Sequence, residues 1–203
     1  MPRTPRQSRS KATVDAIVES GFRSVASHGA QVSTRRIAET AGISIGSLYE
    51  YFANKEAVFA AMQERFIADV VGLIQDTLPV IIAMRPDEGT RLLLTRFGDL
   101  LQRDDSRYLM VARQLVGNDS LRYAEPIRQM LSQVVTGFIM SKPQYAGLQD
   151  LQTMTYIMVN TGIYMMLHHL SDPHPPISFE QLCDGLADIV RRYVADTERL
   201  SQA

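Results

Sequence analysis

Between Ala41 and Phe52 the chain reads AGISIGSLYEYF, an order of residue types that suits contact with something outside the chain. Four slim residues, Ser44, Ile45, Gly46 and Ser47, come first. Two phenols follow at Tyr49 and Tyr51, then an ammonium at Lys55. Hydroxyls, phenols and ammonium groups supply hydrogen bonds and charge to phosphate oxygens, so the chemistry on offer is polyanion recognition rather than bond breaking. The two tyrosines also fit half-buried packing, the commoner fate of aromatic residues on a helix.

Short elements must position these groups. Ser33 offers an N-cap for a helix whose inward residues are Ile37, Ala38 and Ala41, and Gly42 ends it. Ser44 then caps a second short helix, with Ile43 and Leu48 inward, and Asn54 caps a third. A first helix lying across a duplex backbone, a tight turn, and a second helix narrow enough at its start for the major groove make a helix-turn-helix, and residues 33–52 meet each requirement. At Lys55, the start of the next helix, free backbone N–H groups and the helix dipole favour a phosphate.

The run VSTRRIAETAGISIGSLYEYFANKEAVFAAM closely resembles the DNA-binding segment of the tetracycline-repressor (TetR) family. Ile37-Ala38, Ala41-Gly42-Ile43-Ser44, Gly46 to Tyr49, Tyr51-Phe52 and Asn54-Lys55-Glu56 carry the likeness, and Ala16-Ile17 with Gly21-Phe22 fit the family's opening helix. The resemblance implies that Thr34, Arg35, Ser47 and Tyr49 meet bases or nearby phosphates, and that Ser33, Tyr51 and Lys55 clamp phosphates. Ile45 departs from a position often polar in the family: it can touch a thymine methyl group but cannot hydrogen-bond a base edge. Glu50 also departs, a carboxylate beside two DNA-facing residues. Arg3, Arg6, Arg9 and Lys11, ahead of the first helix, read either as an arm along the backbone or minor groove or as a disordered tail.

Charge divides along the same line. Residues 1–55 hold eight Lys+Arg and four Asp+Glu, net +4, and the remainder is net -5 within a total of -1. A basic end on an acidic body suggests a polyanion partner for the first part. The 45% hydrophobic and 21% charged residues are ordinary globular usage. A single cysteine, Cys183, allows no intrachain disulfide, and the opening MPRTPRQSRSK has no apolar signal stretch, so a cytoplasmic location is expected. The uncharged run between Asp150 and Asp172 contains Gln152, Asn160, His168 and His169 and reads as a buried or interface helix, with no membrane partner.

Apolar residues recur at spacings of three and four throughout, giving an all-α expectation. The first helix spans about Ser10 to His28, with Val14, Ile17, Phe22 and Val25 on one face; the fourth runs from Asn54 toward Pro79. Further helices are expected over Asp87–Arg103, Ser106–Val116, Ser120–Met140, Asp150–Leu170 and Ser178–Arg199, the last opened by a Ser178/Gln181 capping box. The organisation expected is a basic arm and helix-turn-helix over 1–55 and a larger helical effector-binding and dimerisation domain over 56–203.

Nine of ten methionines lie beyond residue 60, and flexible thioethers suit either an adaptable cavity or ordinary core. An apolar small-molecule effector is expected, lined by Phe97, Met110, Gln114, Phe138 and Tyr156. The wide apolar faces of the last two helices suit a homodimer's four-helix bundle, an arrangement the resemblance implies. No catalytic residues, cofactor or metal site are read from the sequence: there is no phosphate-cradling glycine loop and no nucleophile elbow, and adjacent histidines on a helix point apart. The leading expectation is therefore a dimeric, ligand-released repressor on an approximately palindromic operator. The competing class is an all-α enzyme or small-molecule carrier whose N-terminal helices only mediate contacts.

Overall fold

The computed structural model describes residues 5–29, 31–114, 124–145 and 150–200, with side chains excepted at 5–9, 104–107, 110, 111, 113, 114, 144, 171 and 196–200. The described residues are helical, with no strand among them: α1 (Pro5–His28), α2 (Thr34–Ala41), α3 (Ile45–Tyr51), α4 (Lys55–Ile81), α5 (Pro86–Gln114), α6 (Glu125–Met140), α7 (Leu151–Ser171) and α8 (Phe179–Leu200), with a single 3-10 turn at Pro143–Tyr145. Among them no helix is long and apolar enough to cross a membrane.

Two units divide the chain. The first joins residues 1–66 with 101–115; the second joins 67–100 with 116–203. Each of α4 and α5 therefore contributes to both.

In the first unit the apolar face of α1 is buried as its spacing requires: Ile17, Phe22 and Val25 are inaccessible and Val18 nearly so. Ile37 and Ala38 of α2, Leu48 of α3, and Val58 and Met62 of α4 are buried as well. Phe22 stands edge-on to Tyr108 of α5, ring centroids 4.9 Å apart, and Phe66 lies 5.5 Å from the same ring; such pairs add about 0.5–1.5 kcal/mol beyond area burial. Gly21 is small for a reason, since a Cβ there would stand 2.6 Å from the Met62 sulfur. Gly29 ends α1 in the left-handed region (φ 72°), its N–H donating to the Val25 carbonyl at 2.8 Å.

Four boundaries differ from expectation. The first helix begins at Pro5, so Arg6, Arg9 and Lys11 are in its opening turns rather than on an arm preceding it; Pro at a first helical position forfeits no intrahelical bond. Arg3 lies outside the described residues. The break expected between Arg103 and Ser106 is absent and α5 runs unbroken for 29 residues, because the polar run there contains neither Gly nor Pro to stop a helix. Pro79 does not end α4: so close to the C-terminus it removes one hydrogen bond, and Ile82 N–H to Leu78 O (3.1 Å) closes the turn behind it. The helix expected from Ser120 begins at Glu125, and residues 115–123 lie outside the described residues.

The second unit is held by small residues and capped ends. Gly89 packs against Ile81 and Gly98 against Phe179, positions where a Cβ would fall 2.4 and 2.6 Å from those side chains. Ile139, Tyr145 and Val194 form a buried cluster with Val135, Phe138, Leu151, Val190 and Tyr193 around it. The capping box at α8 is present, Ser178 N–H donating to Gln181 Oε1 (2.8 Å) and Gln181 N–H to Ser178 Oγ (3.1 Å). The rings of His168 and His169 each lie 5.9 Å from an aromatic ring, Tyr164 and Phe179 respectively.

Cys183 is buried on α8, and that burial, reinforced by Asp184, pushes its thiol up to about 11. At pH 8 about one thiol in a thousand is then ionised, against about one in four for an ordinary cysteine. The raised value favours the folded state below pH 9 and that contribution is lost as pH climbs toward 11. Iodoacetamide at pH 8 should accordingly alkylate the native protein at least about 100-fold more slowly than the urea-unfolded chain; equal rates, followed by mass spectrometry, would show the thiol to be accessible.

Candidate nucleic-acid interface

The α2–α3 corner is built from backbone geometry first. Gly42 adopts φ 70°, ψ 28°, a left-handed conformation that costs a side-chain-bearing residue roughly 1 kcal/mol. Its N–H donates to Glu39 O at 3.1 Å and that of Ile43 to Ala38 O at 3.0 Å, the paired bonds of a Schellman turn. Two residues later α3 begins. Ser33 caps α2 by accepting from Arg36 N–H (3.2 Å), and Ser44 caps α3 by accepting from Ser47 N–H (3.0 Å). Asn54 Oδ1 accepts from Ala57 N–H at 2.8 Å and caps α4. Each cap contributes about 1 kcal/mol and aligns the start of its helix.

Burial divides each helix cleanly. Ile37, Ala38 and Leu48 turn inward, while Ser44, Ile45 and Gly46 are exposed at the leading end of α3 and Ser47 is half-buried. Tyr49 is 51% and Tyr51 37% exposed, so neither ring belongs to the buried core. The Tyr49 hydroxyl lies 3.2 Å from Thr34 Oγ1, so a side chain at the start of α2 is tied to the face of α3. That pairing was invisible in the sequence, where the two stand 15 residues apart. A second tie was equally hidden: Ser24 Oγ on α1 donates to Thr40 Oγ1 (3.1 Å), which donates to Arg36 O (2.9 Å).

Arg35 Nε and Arg36 Nη1 share one carboxylate, Glu39, at 3.4 and 3.3 Å. With the Arg35 side chain 83% exposed and Glu39 52%, these pairs are screened and contribute little. The guanidinium groups can therefore exchange Glu39 for a phosphate or a base edge, where a bidentate contact is stronger. Arg36, passed over in the sequence reading, stands beside Arg35 with its side chain 53% exposed; the only signal for it was adjacency. Lys55 Nζ sits 5.2 Å from the centroid of the Phe59 ring, a cation–π contact that steadies the ammonium at the N-terminus of α4.

The structure thus brings Thr34 and Tyr49 together, pairs Ser44 with Ser47 (Oγ to Oγ 2.9 Å), and leaves the Ile45–Gly46 edge open. Of the five expected effector-lining side chains, three are described. Phe138 packs in the Ile139 cluster with its ring 6.3 Å from Tyr145, Phe97 is half-buried on α5, and Tyr156 is 65% exposed on α7. The side chains of Met110 and Gln114 lie outside the described residues.

Comparison with known proteins agrees with this geometry. Residues 11–62 match the family described as bacterial regulatory proteins, tetR family. The matched segment takes in the whole of α2 and α3. No curated protein matches the sequence. Among solved structures, a putative TetR-family transcriptional regulator from Mesorhizobium loti superposes with a TM-score of 0.71 at 18% identity, covering 92% of this chain and 97% of that one. The fatty acid degradation regulator FadR from Bacillus halodurans gives 0.68 at 16% identity over 94% and 96%. A transcriptional regulator FadR from Bacillus subtilis, in complex with stearoyl-CoA, gives 0.62 at 15% over 86% and 96%. At these identities the structures show a shared fold. The fold is TetR-like, its helix-turn-helix formed by α2 and α3.

Two outcomes test the contacts. Lys55→Ala should weaken binding to every sequence and reduce the salt slope by about one, whereas Arg35→Ala should cost about 1–3 kcal/mol mainly on the selected operator; fluorescence anisotropy against operator and random duplexes separates the two. If Ile45 meets a thymine methyl, replacing the contacted thymine by deoxyuridine should cost the wild type about 1 kcal/mol and an Ile45→Ala variant nothing.

Proposed function

We propose that this chain is a dimeric, sequence-specific TetR-family transcriptional repressor released by a mainly apolar small molecule. The observation that carries the DNA-binding part is the open Ser44–Ser47 edge of α3, with Tyr49 tied to Thr34 beside it. In this reading Ser33, Thr34, Arg35, Ser44, Ile45, Gly46, Ser47, Tyr49, Tyr51 and Lys55 contact the duplex. Residues 1–55 act as the DNA-reading head and residues 56–203 as the effector-binding and dimerisation body.

Dimerisation through α7 and α8 is supported by what those helices leave uncovered in a single chain. Tyr156, Ile157, Tyr164 and Met165 on α7 and Ile189 on α8 are 65, 46, 58, 37 and 48% exposed, and Gly162 and Gly185 have open space where a Cβ would stand. Large apolar side chains beside small residues permit close helix approach, and burying them across a two-fold axis stabilises the pair by about 25 cal/mol per Å² of apolar surface. An apolar effector is supported by the methionines of the body and by the stearoyl-CoA bound to the Bacillus subtilis relative. Release follows from linkage: a ligand that weakens operator affinity a hundredfold must itself bind the DNA complex a hundredfold less tightly, a coupling of about 2.7 kcal/mol.

Footprinting on an operator selected from random DNA tests the core of the proposal. Symmetric protection of two half-sites about one or more helical turns apart is expected, together with a dimer by light scattering. Saturating protection of one half-site by a monomer would overturn the dimeric reading.

A further inference from the structure

We propose that Glu39 is a specificity-determining residue of the helix-turn-helix: its carboxylate withholds the Arg35 guanidinium from random duplex and releases it only to a base edge that binds it with two hydrogen bonds. The proposal rests on the DNA-binding reading above and assigns a part to a residue outside that reading's contact set.

The exposed side of α2 carries Arg35, Arg36 and Glu39, while Ile37 and Ala38 turn inward. Glu39 follows Arg35 by four residues and Arg36 by three, the two spacings at which side chains on a helix meet. Each carboxylate oxygen takes a different partner. Oε2 accepts a hydrogen bond from Arg36 Nη1 at 3.3 Å, and Oε1 stands 3.4 Å from Arg35 Nε. Two cations around one anion leave the group with a net charge of +1.

The two arginines are not held alike. Arg36 is tied through its backbone as well, its N–H donating to Ser33 Oγ at 3.2 Å and its carbonyl accepting from Thr40 Oγ1 at 2.9 Å, and its side chain is 53% exposed. The Arg35 side chain is 83% exposed. Arg35 also follows Thr34, whose hydroxyl lies 3.2 Å from that of Tyr49 on α3, so it is the arginine next to the tie between the two helices.

Magnitudes decide when Arg35 leaves the carboxylate. An exposed ion pair contributes up to about fivefold in an equilibrium constant. A single phosphate contact on random duplex only exchanges one screened pair for another, and it strands Glu39 half-compensated in the negative field of the DNA backbone. Arg35 therefore stays. A bidentate contact to a guanine edge contributes about 5- to 150-fold and outweighs the pair, while Arg36 remains on the carboxylate and offsets its charge. Glu39 thus weakens every complex that offers Arg35 no base, and specificity is a difference between affinities.

The test titrates the full-length wild type, Glu39→Gln, Arg35→Ala and the double variant against an operator selected from random DNA and a random duplex of equal length, by fluorescence anisotropy across a range of salt. The Glu39 side chain is 52% exposed and its backbone carbonyl, which receives Gly42 N–H, is kept by any substitution; Glu39→Ala repeats the measurement with a second side chain. Glu39→Gln is expected to bind the random duplex about tenfold more tightly and the operator at most about threefold more tightly, its salt slope steepening by about one more on the random duplex than on the operator. In the Arg35→Ala background the same substitution should leave the ratio of the two affinities unchanged, because Arg36 is released equally on both duplexes. An equal gain on both duplexes, no gain on either, or a ratio that still falls without Arg35 would each refute the assignment. A wild type that prefers its operator to random duplex retains the DNA-binding reading whichever way Glu39 falls. A wild type that binds neither duplex removes that reading, and this inference with it.

Discussion

The helix-turn-helix depends on one backbone conformation, the left-handed turn at Gly42. The two Schellman bonds behind it close α2, and the two residues after it set the direction in which α3 departs. Everything exposed on α3, from Ser44 to Tyr51, inherits its position from that corner. A Cβ at Gly42 meets no neighbouring atom, so the demand for glycine is torsional and not steric. The buried side chains Ile37, Ala38 and Leu48 then hold the corner against α1, where packing supplies the energy and the turn supplies the direction.

Around that corner, polar groups serve as geometry before they serve as contacts. Ser33, Ser44 and Asn54 are occupied in capping, and Ser24 and Thr40 in joining α1 to α2. The charged groups are held lightly by comparison. Glu39 spans two exposed arginines at more than 3 Å, and solvent-screened pairs of that kind break at little cost. A rigid frame carrying loosely held cations is a suitable arrangement for meeting a polyanion, because the ordering entropy is already supplied by the frame.

The second unit shows the reverse balance. Its surface arginines are paired with carboxylates on their own or a packed helix, whereas Arg96 reaches a buried hydroxyl. Polar groups inside an apolar layer carry more electrostatic weight than the same groups at the surface.

Much of this was legible along the chain because it depends on local physics. Ser33, Gly42, Ser44, Asn54 and the Ser178/Gln181 pair announce helix ends by their hydrogen-bonding and torsional preferences, and the three-to-four spacing of Ile17, Phe22 and Val25 announces a buried face. The slim edge at Ser44–Ser47 could be read in the same way. Helix continuity was less legible: the charged run after Arg103 suggested a break that the backbone had no cause to make, and Pro79 suggested a stop two residues too early. What only the tertiary structure decided were pairings between residues distant in sequence, since no local preference encodes them. Thr34 with Tyr49, Ser24 with Thr40, Phe22 with Tyr108 and Arg96 with Thr77 each exist because separate helices pack in one register. Periodicity determines which face of a helix is buried; the partner that face meets is set by how the helices fill space together.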